Sequence, residues 1–261
     1  MDLRPVCLVT GASRRVGRAI ALHLAAHGYD IAVHYRSSRT EAQAAVAEIS
    51  AQGGQAESFQ ADLSDENASA GLVSRVAARL GQVDAVVNNA STFEADDASS
   101  FSHQAMERHW RANTAPAIIL ARALHAHLMS RKAKGCVVNL LDQKLWNLNP
   151  DYFSYTLSKA ALQAATIMLA QAYAPEMRVC GVAPGVTLAQ PGMTPEQFAT
   201  AQQLTPLHLS STPQDVARTV RFLIESHAMT GTTLLVDGGQ HLASQSRDVL
   251  YLTQPATTRP I

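Results

Sequence analysis

The sequence predicts a single doubly wound α/β domain, in which a parallel sheet of about seven strands carries helices on both faces. Short apolar runs such as Val6–Val9 alternate with helix-forming stretches along nearly the whole chain, and continuous apolar runs are typical of parallel strands covered on both sides. The first run leads directly into a turn from Thr10 to Gly17 and then into a helix. That order presents backbone N–H groups to a phosphate.

The remaining elements follow in regular alternation. The predicted strands are Val6–Val9, Asp30–Tyr35, Gln55–Gln60, Ala85–Asn88, Cys136–Leu141, Met177–Ala183 and Thr233–Val236. The predicted helices run from the glycine turn to His27, over Thr40–Gln52, Ser64–Leu80, Gln104–Ser130 and Tyr152–Tyr173, and from Thr212 onward. Gly28 suits the end of the first helix, and Thr212 followed by proline suits the start of the last. Such a rhythm favours one parallel sheet rather than two domains.

Composition narrows the class of protein. The chain has 261 residues, 47% apolar and only 16% charged, with 21 basic and 21 acidic side chains and no net charge. A neutral balance argues against nucleic-acid or membrane-surface binding, and no run of 18 apolar residues predicts a membrane span. The N-terminus lacks the apolar stretch of a signal peptide. The three cysteines lie in predicted strands, which indicates core thiols in a reducing compartment, so we expect a cytoplasmic protein.

Two segments interrupt the alternation. Residues 186–211 contain three prolines and a glycine within a short stretch and follow the end of a strand, where ligands bind in such sheets, so they are expected to form a lid over the substrate. A passive surface loop is the alternative. Residues 243–261 form a polar tail that either frays or lies over a neighbouring subunit.

A candidate acid lies between Asn139 and Ala160. Tyr155 and Lys159 stand four residues apart, which places both on one face of a helix. An ammonium beside a phenol stabilises the phenolate, so we expect Lys159 to depress the pKa of Tyr155 below its ordinary value of about 10. Such a tyrosine can give a proton to an atom that becomes anionic as hydride arrives. Asp142 ends the fifth predicted strand and is expected to point at Tyr155.

Six short motifs together resemble the short-chain dehydrogenase/reductase family. They occur in the family's order and near its spacing, over about residues 6–242, and comprise Thr10-Gly11-x5-Gly17, Asp62, Asn88-Asn89-Ala90, Asn113, Tyr155-x3-Lys159 and Pro184-Gly185. The resemblance implies a Rossmann-type fold, a nicotinamide cofactor, a small-molecule substrate and a homotetramer built on two long helices. The helices expected at the interface are those over Gln104–Ser130 and Tyr152–Tyr173, whose sequences carry few charges.

Departures from the common family pattern point to the pteridine reductase branch, which includes dihydromonapterin reductase-like enzymes. Arg15 stands where most members have glycine, and Asp142 stands where most have serine. Further matches to that branch are Arg14, the run His34-Tyr35-Arg36-Ser37, Phe93 and Tyr152. One feature differs from it, because the arginine found close after the final Asp-Gly-Gly in some members is absent after Asp237-Gly238-Gly239.

The resemblance implies a cofactor site that prefers NADPH. An NAD enzyme has a carboxylate that binds the free adenosine ribose, and this chain instead has Arg14, Arg15 and Arg36 with Ser37. Arginine suits the 2′-phosphate of NADPH. Asp62 is expected to accept from the adenine amino group, or else to cap the following helix. The full set of expected cofactor residues is Gly11, Ser13, Arg14, Arg15, Val16, Gly17, His34, Tyr35, Arg36, Ser37, Asp62, Leu63, Asn89, Ala90, Ser91, Tyr155, Lys159, Pro184 and Gly185.

The expected catalytic residues are Tyr155, Lys159, Asp142 and Asn113, the last holding a water in a relay to Lys159. Asp142 would bind ring N–H groups and pass on a proton if the substrate is a heterocycle with a C=N bond, or else it would hold a water or the neighbouring Lys144. Phe93 offers a face for a bicyclic ring, or merely fills a loop. Tyr152 and Tyr155 complete the expected substrate site. No metal-ligand spacing occurs among the histidines.

Three hypotheses of function follow from these residues. The first is an NADPH-dependent reductase of a pterin or dihydropterin. The second keeps the fold and cofactor but reduces a ketone, an aldehyde or a 3-oxoacyl group, and Asp142 counts against it. The third is a binding protein that has lost turnover, which the presence of Asn113, Tyr155 and Lys159 argues against.

Overall fold

The computed structural model describes residues 4–190 and 192–253. The seven strands are Val6–Val9 (β1), Asp30–Tyr35 (β2), Ala56–Gln60 (β3), Ala85–Asn88 (β4), Gly135–Leu140 (β5), Met177–Pro184 (β6) and Thr233–Val236 (β7). All are parallel and form one sheet in the order β3-β2-β1-β4-β5-β6-β7. The predicted doubly wound sheet is confirmed, and its order reverses between β1 and β4, which opens a crevice at the carboxyl ends of the strands.

Helices cover both faces of the sheet. They are Arg15–Ala26 (α1), Arg39–Ala51 (α2), Glu66–Leu80 (α3), His103–His109 (α4), Ala115–Arg131 (α5), Phe153–Ala172 (α6), Pro195–Gln203 (α7), Pro213–Glu225 (α8) and Val249–Leu252 (α9). One buried cluster packs α1, α2 and α8 on the sheet, and a second packs α3, α5 and α6 on the opposite face. Gly28, at φ +92°, follows α1 as predicted, and Thr212 begins α8 in a capping box with Asp215.

The predicted helix Gln104–Ser130 is not continuous. A π-helical segment, Trp110–Thr114, separates α4 from α5. Pro116 lies at the start of α5 and has no N–H to donate to the carbonyl four residues before it. The N–H of Ala115 instead bonds the carbonyl of Trp110, five residues back, which is the π-helical pattern. Asn113 lies within this wider turn.

The predicted lid contains a helix. Thr194 caps α7 in a reciprocal pair of hydrogen bonds with Gln197, and Pro195 follows at the first position. Thr194 and Pro195 are both helix-start signals in the sequence. The neighbouring prolines and glycine nevertheless favour a loop in this segment. Pro191 lies outside the described residues.

The polar tail folds onto its own chain as far as Thr253, through a 3₁₀ turn at Gln240–Leu242 and α9. The prediction that the tail frays is therefore wrong for residues 243–253, and residues 254–261 lie outside the described part. Cys7, Cys136 and Cys180 are buried free thiols, as predicted. In the described part of the chain, the longest helices are too short or too polar to cross a bilayer.

Gly17 provides a test of how tightly the first turn is packed. A Cβ at Gly17 would lie 2.3 Å from the Gly11 carbonyl oxygen and 2.4 Å from Asn89 Nδ2. We expect Gly17→Ala to lower the free energy of unfolding by about 1–3 kcal/mol, because backbone must shift to relieve the clash. Gly71→Ala is the matched control, since a Cβ there meets nothing within 4 Å inside α3. It should raise stability by about 0.5–1 kcal/mol. Urea unfolding measures both, and equal effects would contradict the packing argument.

Candidate active site

The glycine turn is shaped to receive a phosphate. Gly11 has φ +63°, and both Gly11 and Gly17 leave no room for a side chain against Asn89. The turn leads into α1, whose start has no side-chain cap and no acidic residue in its first turn. Its first N–H groups are thus available to an anion, which the helix dipole also favours.

His34 holds this turn in place through hydrogen bonds of its imidazole ring. Its Nδ1 accepts from the Gly11 N–H at 3.1 Å, and its Nε2 lies 3.1 Å from the Ala61 carbonyl oxygen. Burial lowers the pKa of His34 to about 4, so the ring is neutral, with Nδ1 as acceptor and Nε2–H as donor. Both ring nitrogens are therefore engaged by the protein. The side chain of His34 fixes the glycine turn, and a contact between His34 and the cofactor stays a prediction.

Two other expected cofactor residues also have buried side chains. Tyr35 and Leu63 are 5% and 8% exposed, so they are accessible to a cofactor only through their backbone. Asp62 accepts from the backbone N–H and hydroxyl of Ser64, and these bonds lower the pKa of Asp62. Asp62 thus forms a local turn ahead of α3, while Asp65 is the helix cap.

Three arginines lie around the mouth of the turn. Arg14 and Arg36 are exposed, as is Ser37 beside Arg36. Arg15 occupies left-handed backbone at φ +54°, a conformation that favours glycine, which explains the glycine usual at this position. The Arg15 guanidinium donates to the Ala189 carbonyl oxygen at 3.2 Å. This bond joins the start of α1 to the segment 186–211.

The loop after β4 is tied to the glycine turn through Thr10. Its hydroxyl accepts from the backbone N–H groups of Asn89 and Ala90 at 2.9 and 3.0 Å. The Asn89 amide donates to the carbonyls of Thr10 and Gly11. Ser91, next in the chain, donates to Asn113 Oδ1. The two loops that border the crevice are therefore held as one unit.

Asn113 has its side-chain hydrogen bonds satisfied by the protein. Its Oδ1 accepts from the Thr92 N–H at 2.7 Å, and its Nδ2 donates to the Thr92 carbonyl and to Ser158 Oγ at 2.9 Å. Ser158 Oγ in turn donates to the Tyr155 carbonyl. The side chain thus joins the loop after β4 to α6 and positions the helix that carries Tyr155. The expected relay water at Asn113 is not tested by these contacts and stays a prediction.

Tyr155 and Asp142 meet as predicted. The Tyr155 hydroxyl donates to Asp142 Oδ2 at 2.8 Å, and Asp142 Oδ1 accepts from the Lys144 N–H at the same distance. Asp142 lies at the end of β5, while Asp96 bonds Ser154 at the start of α6 and so fixes the approach of Tyr155. Tyr155 is 6% exposed. The pair lies at the carboxyl end of the sheet, beside the crevice.

The predicted pKa of Tyr155 is wrong in direction. Burial, and then the charge of Asp142, raise the pKa of Tyr155 well above its ordinary value. The Lys159 ammonium does not offset them, because it donates to the Leu140 carbonyl at 2.7 Å and lies 5.7 Å from the centre of the tyrosine ring. Burial lowers the pKa of Lys159 to about 8. Burial also raises the pKa of Asp142, which favours its neutral form.

Phe93 and Tyr152 form an aromatic wall next to the pair. Their rings stack with centroids 4.0 Å apart, and the Phe93 ring also meets Tyr155 edge-on at 4.6 Å. One face of Phe93 is thus covered by Tyr152, although 39% of the residue is exposed. Tyr152 has φ +55°, and its hydroxyl donates to Gln190 Oε1 at 3.3 Å. Both residues adjoin the site as predicted.

A cavity of about 60 Å³ lies beside Asp142, and its walls are mainly amides and charges. It is lined by Phe93, Asp142, Gln143, Lys144, Asn149, Gly185, Val186, Gln190, Gln240, Gln245, Asp248 and Val249. Ligand pockets usually measure about 300–1,000 Å³, so a bicyclic substrate requires a lining segment to move. Gly185 forms part of the floor, where a Cβ would clash with Ser210. Pro184 ends β6 just before it.

Sequence reasoning missed most of this polar lining. Gln143 and Lys144 directly follow Asp142, so their position at a strand end was a usable signal. Gln245 and Asp248 lie in the segment expected to fray or to cover a neighbour, and Gln240 lies just before it. No local pattern in the sequence indicates that this segment returns to its own active site.

Comparison with known proteins agrees with this geometry. Residues 11–241 match a family model described as enoyl-(acyl carrier protein) reductase. A 3-oxoacyl-[acyl-carrier-protein] reductase of Staphylococcus aureus is 30% identical over 247 residues, covering 93% of this chain and all of the relative. An uncharacterized oxidoreductase of Methylorubrum extorquens is 33% identical over 242 residues, covering 90% of this chain and 96% of the relative.

The fold and these matches define the class, and the chain belongs to the short-chain dehydrogenase/reductase family. Within that family it resembles the pteridine reductase branch. The crystal structure of FolM alternative dihydrofolate reductase 1 from Brucella canis complexed with NADP is 40% identical, with a TM-score of 0.89, covering 95% of this chain and 98% of that one. The corresponding Brucella suis protein in complex with NADP gives the same identity and TM-score, covering 95% of this chain and 99% of that one.

The buried carboxyl of Asp142 gives a pH-dependent prediction for the cofactor-free protein. Its pKa is higher in the folded state, so the folded form holds the proton more tightly and stability is lost as pH rises through that pKa. Asp142→Asn keeps the shape without the ionisation. We therefore expect the difference in melting temperature, Asp142→Asn minus wild type, to increase as the pH is raised from about 5 to about 8.

Asp97→Asn is the control for this experiment. Hydrogen bonds from Ser99 and Ser100 lower the pKa of the exposed Asp97 to about 2, so its carboxylate is ionised throughout that range. Its difference from wild type should stay constant between these pH values. A flat profile for Asp142→Asn as well would show that Asp142 does not titrate there.

Proposed function

We propose that this protein is an NADPH-dependent reductase of a pterin or dihydropterin, acting on a C=N bond with Tyr155 as proton donor. The observation that carries the proposal is the 2.8 Å hydrogen bond from Tyr155 to Asp142, a carboxyl where ketone reductases of the family have serine. A carboxylate beside a carbonyl oxygen opposes the developing alkoxide. Beside a ring nitrogen that requires a proton, a protonated carboxyl is useful.

The residues present fit NADPH. The turn Gly11–Gly17 and the uncapped start of α1 suit the pyrophosphate, and exposed Arg14 and Arg36 suit the 2′-phosphate. The relatives from Brucella were solved with NADP. When bound, NADPH supplies the hydride. The further contacts proposed for the cofactor are Ser13, Val16, Asn89, Ala90, Ser91, Lys159, Pro184 and Gly185.

The chain's own groups handle the proton. The high pKa of Tyr155 keeps its phenol protonated at neutral pH, so it enters the reaction as an acid. As carbon of the C=N bond gains hydride, the nitrogen takes the phenolic proton, and the product is a CH–NH unit. Burial raises the pKa of Asp142, which favours its protonated form. Once Tyr155 has lost its proton, a protonated Asp142 lies within hydrogen-bond reach to return one to the tyrosinate. Asp142 regains its own proton from solvent.

The pocket lining supports a heterocycle rather than an acyl chain. Four glutamines and one asparagine face the cavity, and amides both donate and accept hydrogen bonds. An acyl chain would be better served by an apolar wall. A 3-oxoacyl or simple ketone substrate is the second candidate, favoured by the 30% identity to the Staphylococcus aureus reductase.

The exposed apolar side chains of α5 and α6 support a homotetramer. Met129 of α5 and Leu157, Ile167 and Met168 of α6 are 43–67% exposed, which is typical of a subunit interface. The neutral composition and the family support a small-molecule substrate without a nucleic-acid or membrane partner. A cytoplasmic location stays a prediction.

Cofactor choice is tested at Arg36. Replacing Arg36 with glutamine should raise KM for NADPH while leaving NADH unchanged, because only the 2′-phosphate loses its partner. We expect the NADPH preference to fall about 10-fold, since a charge-assisted bond at a wet surface is worth about 1.4 kcal/mol. Arg79→Gln, which removes an exposed arginine paired with Glu57, should leave the preference intact. An unchanged ratio in Arg36→Gln would remove Arg36 from the cofactor site.

Substrate class is tested at Asp142. Asp142→Ser should lower kcat/KM for dihydrobiopterin about 10²–10³-fold, a loss of about 2–4 kcal/mol, with NADPH binding intact. The same change restores the serine of ketone reductases, so ketone turnover should be kept or rise. Tyr155→Phe should abolish both activities. Unchanged pterin turnover in Asp142→Ser, or a wild type that reduces ketones but no pterin, would overturn the proposal in favour of the second candidate.

Assembly is tested by light scattering. The wild type should give the mass of four 27.9 kDa chains at micromolar concentration. The double change Ile167→Glu and Met168→Glu should reduce that mass, because charges on the exposed face of α6 oppose close packing. Changing the exposed Arg79 of α3 to glutamate serves as a control, because it adds a carboxylate outside the two helices proposed for the interface. A wild type that runs as a monomer would reject the tetramer.

A further inference from the structure

The segment after β7 returns to the active site of its own chain. Residues 243–253, here called the C-terminal strap, pack on the loop that follows the 3₁₀ turn Gln143–Trp146. The Asn147 amide donates to the Ala243 carbonyl at 2.6 Å. Further along, the Arg247 guanidinium bonds both carboxylate oxygens of Asp151, and the Asp248 N–H donates to the same carboxylate at 2.7 Å. The strap is thus fastened from its outer side.

Asp248 carries a second interaction that faces inward. Its Oδ2 accepts from Lys144 Nζ at 3.3 Å, and its Oδ1 accepts from the Leu250 N–H. Lys144 is 3% exposed, and both members of this ion pair line the cavity beside Asp142. A buried ion pair is a weak source of stability, because both charges lose their water. Because Arg247 and Asp151 already attach the strap to the rest of the chain, attachment alone does not explain the ion pair between Lys144 and Asp248.

An unpaired acceptor lies in the same wall. Gln143 is 8% exposed, and its Oε1 is buried with no hydrogen-bond partner among the described residues. Buried polar atoms are nearly always paired. Gln143 is the residue before Lys144 and lines the same cavity. The wall therefore holds a carboxylate and an unsatisfied carbonyl oxygen, both of which require N–H or O–H donors.

We propose that Asp248 is a specificity-determining residue, which selects substrates that carry a 2-amino-4-oxopyrimidine ring. This inference rests on the proposed function and names the part of the substrate that is recognised. The ring presents an amino group beside a ring N–H, and a carboxylate accepts such adjacent donors in parallel. A carboxylate has about four lone-pair sites, of which Lys144 and Leu250 occupy two. A ketone has only an acceptor and gains nothing from this wall.

The test compares 7,8-dihydropterin with its analogue that lacks the 2-amino group, using NADPH and the full chain. Wild type should prefer dihydropterin by about 100-fold or more in kcat/KM, since a site built to accept a donor rejects a substrate without it. Asp248→Asn should reduce that preference below about 10-fold. The loss of kcat/KM should be at least 10-fold larger for dihydropterin than for the analogue, because only dihydropterin carries the amino group that Asp248 would bind.

Two further variants separate recognition from loosening of the strap. Arg247→Gln weakens the outer fastening and leaves Asp248 in place, so it should affect both substrates equally. The double change Lys144→Gln and Asp248→Asn removes the ion pair without leaving a lone buried charge, and it should lose the preference in the same way as Asp248→Asn. Thermal unfolding with NADPH confirms that each variant is folded.

The outcomes are distinct. Equal losses for both substrates in Asp248→Asn, or an unchanged preference in both Asp248 variants, would overturn the inference and leave pterin reduction standing. A wild type that reduces neither heterocycle would overturn the proposed function, and the inference with it. If Asp248→Asn does not fold, the double variant decides between these results.

Discussion

The hydrogen bond between Tyr155 and Asp142 is the central contact of the candidate active site. It places two groups with raised pKa values 2.8 Å apart in a buried position. Burial disfavours the charged form of both side chains, so each holds its proton more tightly than it would in water. Lys159 cannot reverse this, because its amine is directed to the Leu140 carbonyl. In the cofactor-free protein the phenol of Tyr155 is therefore protonated at neutral pH.

A framework of buried amides and hydroxyls holds this pair in position. Asn88 donates to Asn139, and Asn139 donates to Thr166, which joins β4, β5 and α6 inside the core. Asn113 makes a second connection between the loop after β4 and α6. Each of these groups is paired, as a low-dielectric interior requires. The framework fixes where β5 ends and therefore where Asp142 can meet Tyr155.

The wall of the cavity beside Asp142 differs from this framework, because not all of its polar atoms are paired. Its acceptors come from the residues after β5 and from the strap, and one of them, Gln143 Oε1, has no partner among the described residues. In a framework built only for stability, such an atom would be paired or replaced by carbon. A polar wall with spare acceptors instead suits a ligand with N–H groups. Aromatic Phe93 and Tyr152 complete the pocket with flat apolar surface.

The sequence alone determined the sheet, the glycine turn and the meeting of Asp142 with Tyr155, because these depend on patterns within a few residues or on strand ends that share one edge. Pro116 carried the signal for the π-helical segment, but its effect needed the backbone of the preceding turn. Only the tertiary structure decided that His34 is a support, that the pKa of Tyr155 is raised, and that Asp248 lines the pocket. Burial and charge depend on contacts between residues far apart in the sequence, such as Lys144 and Asp248, which are 104 positions apart. Packing of the whole domain sets these contacts, rather than any local pattern.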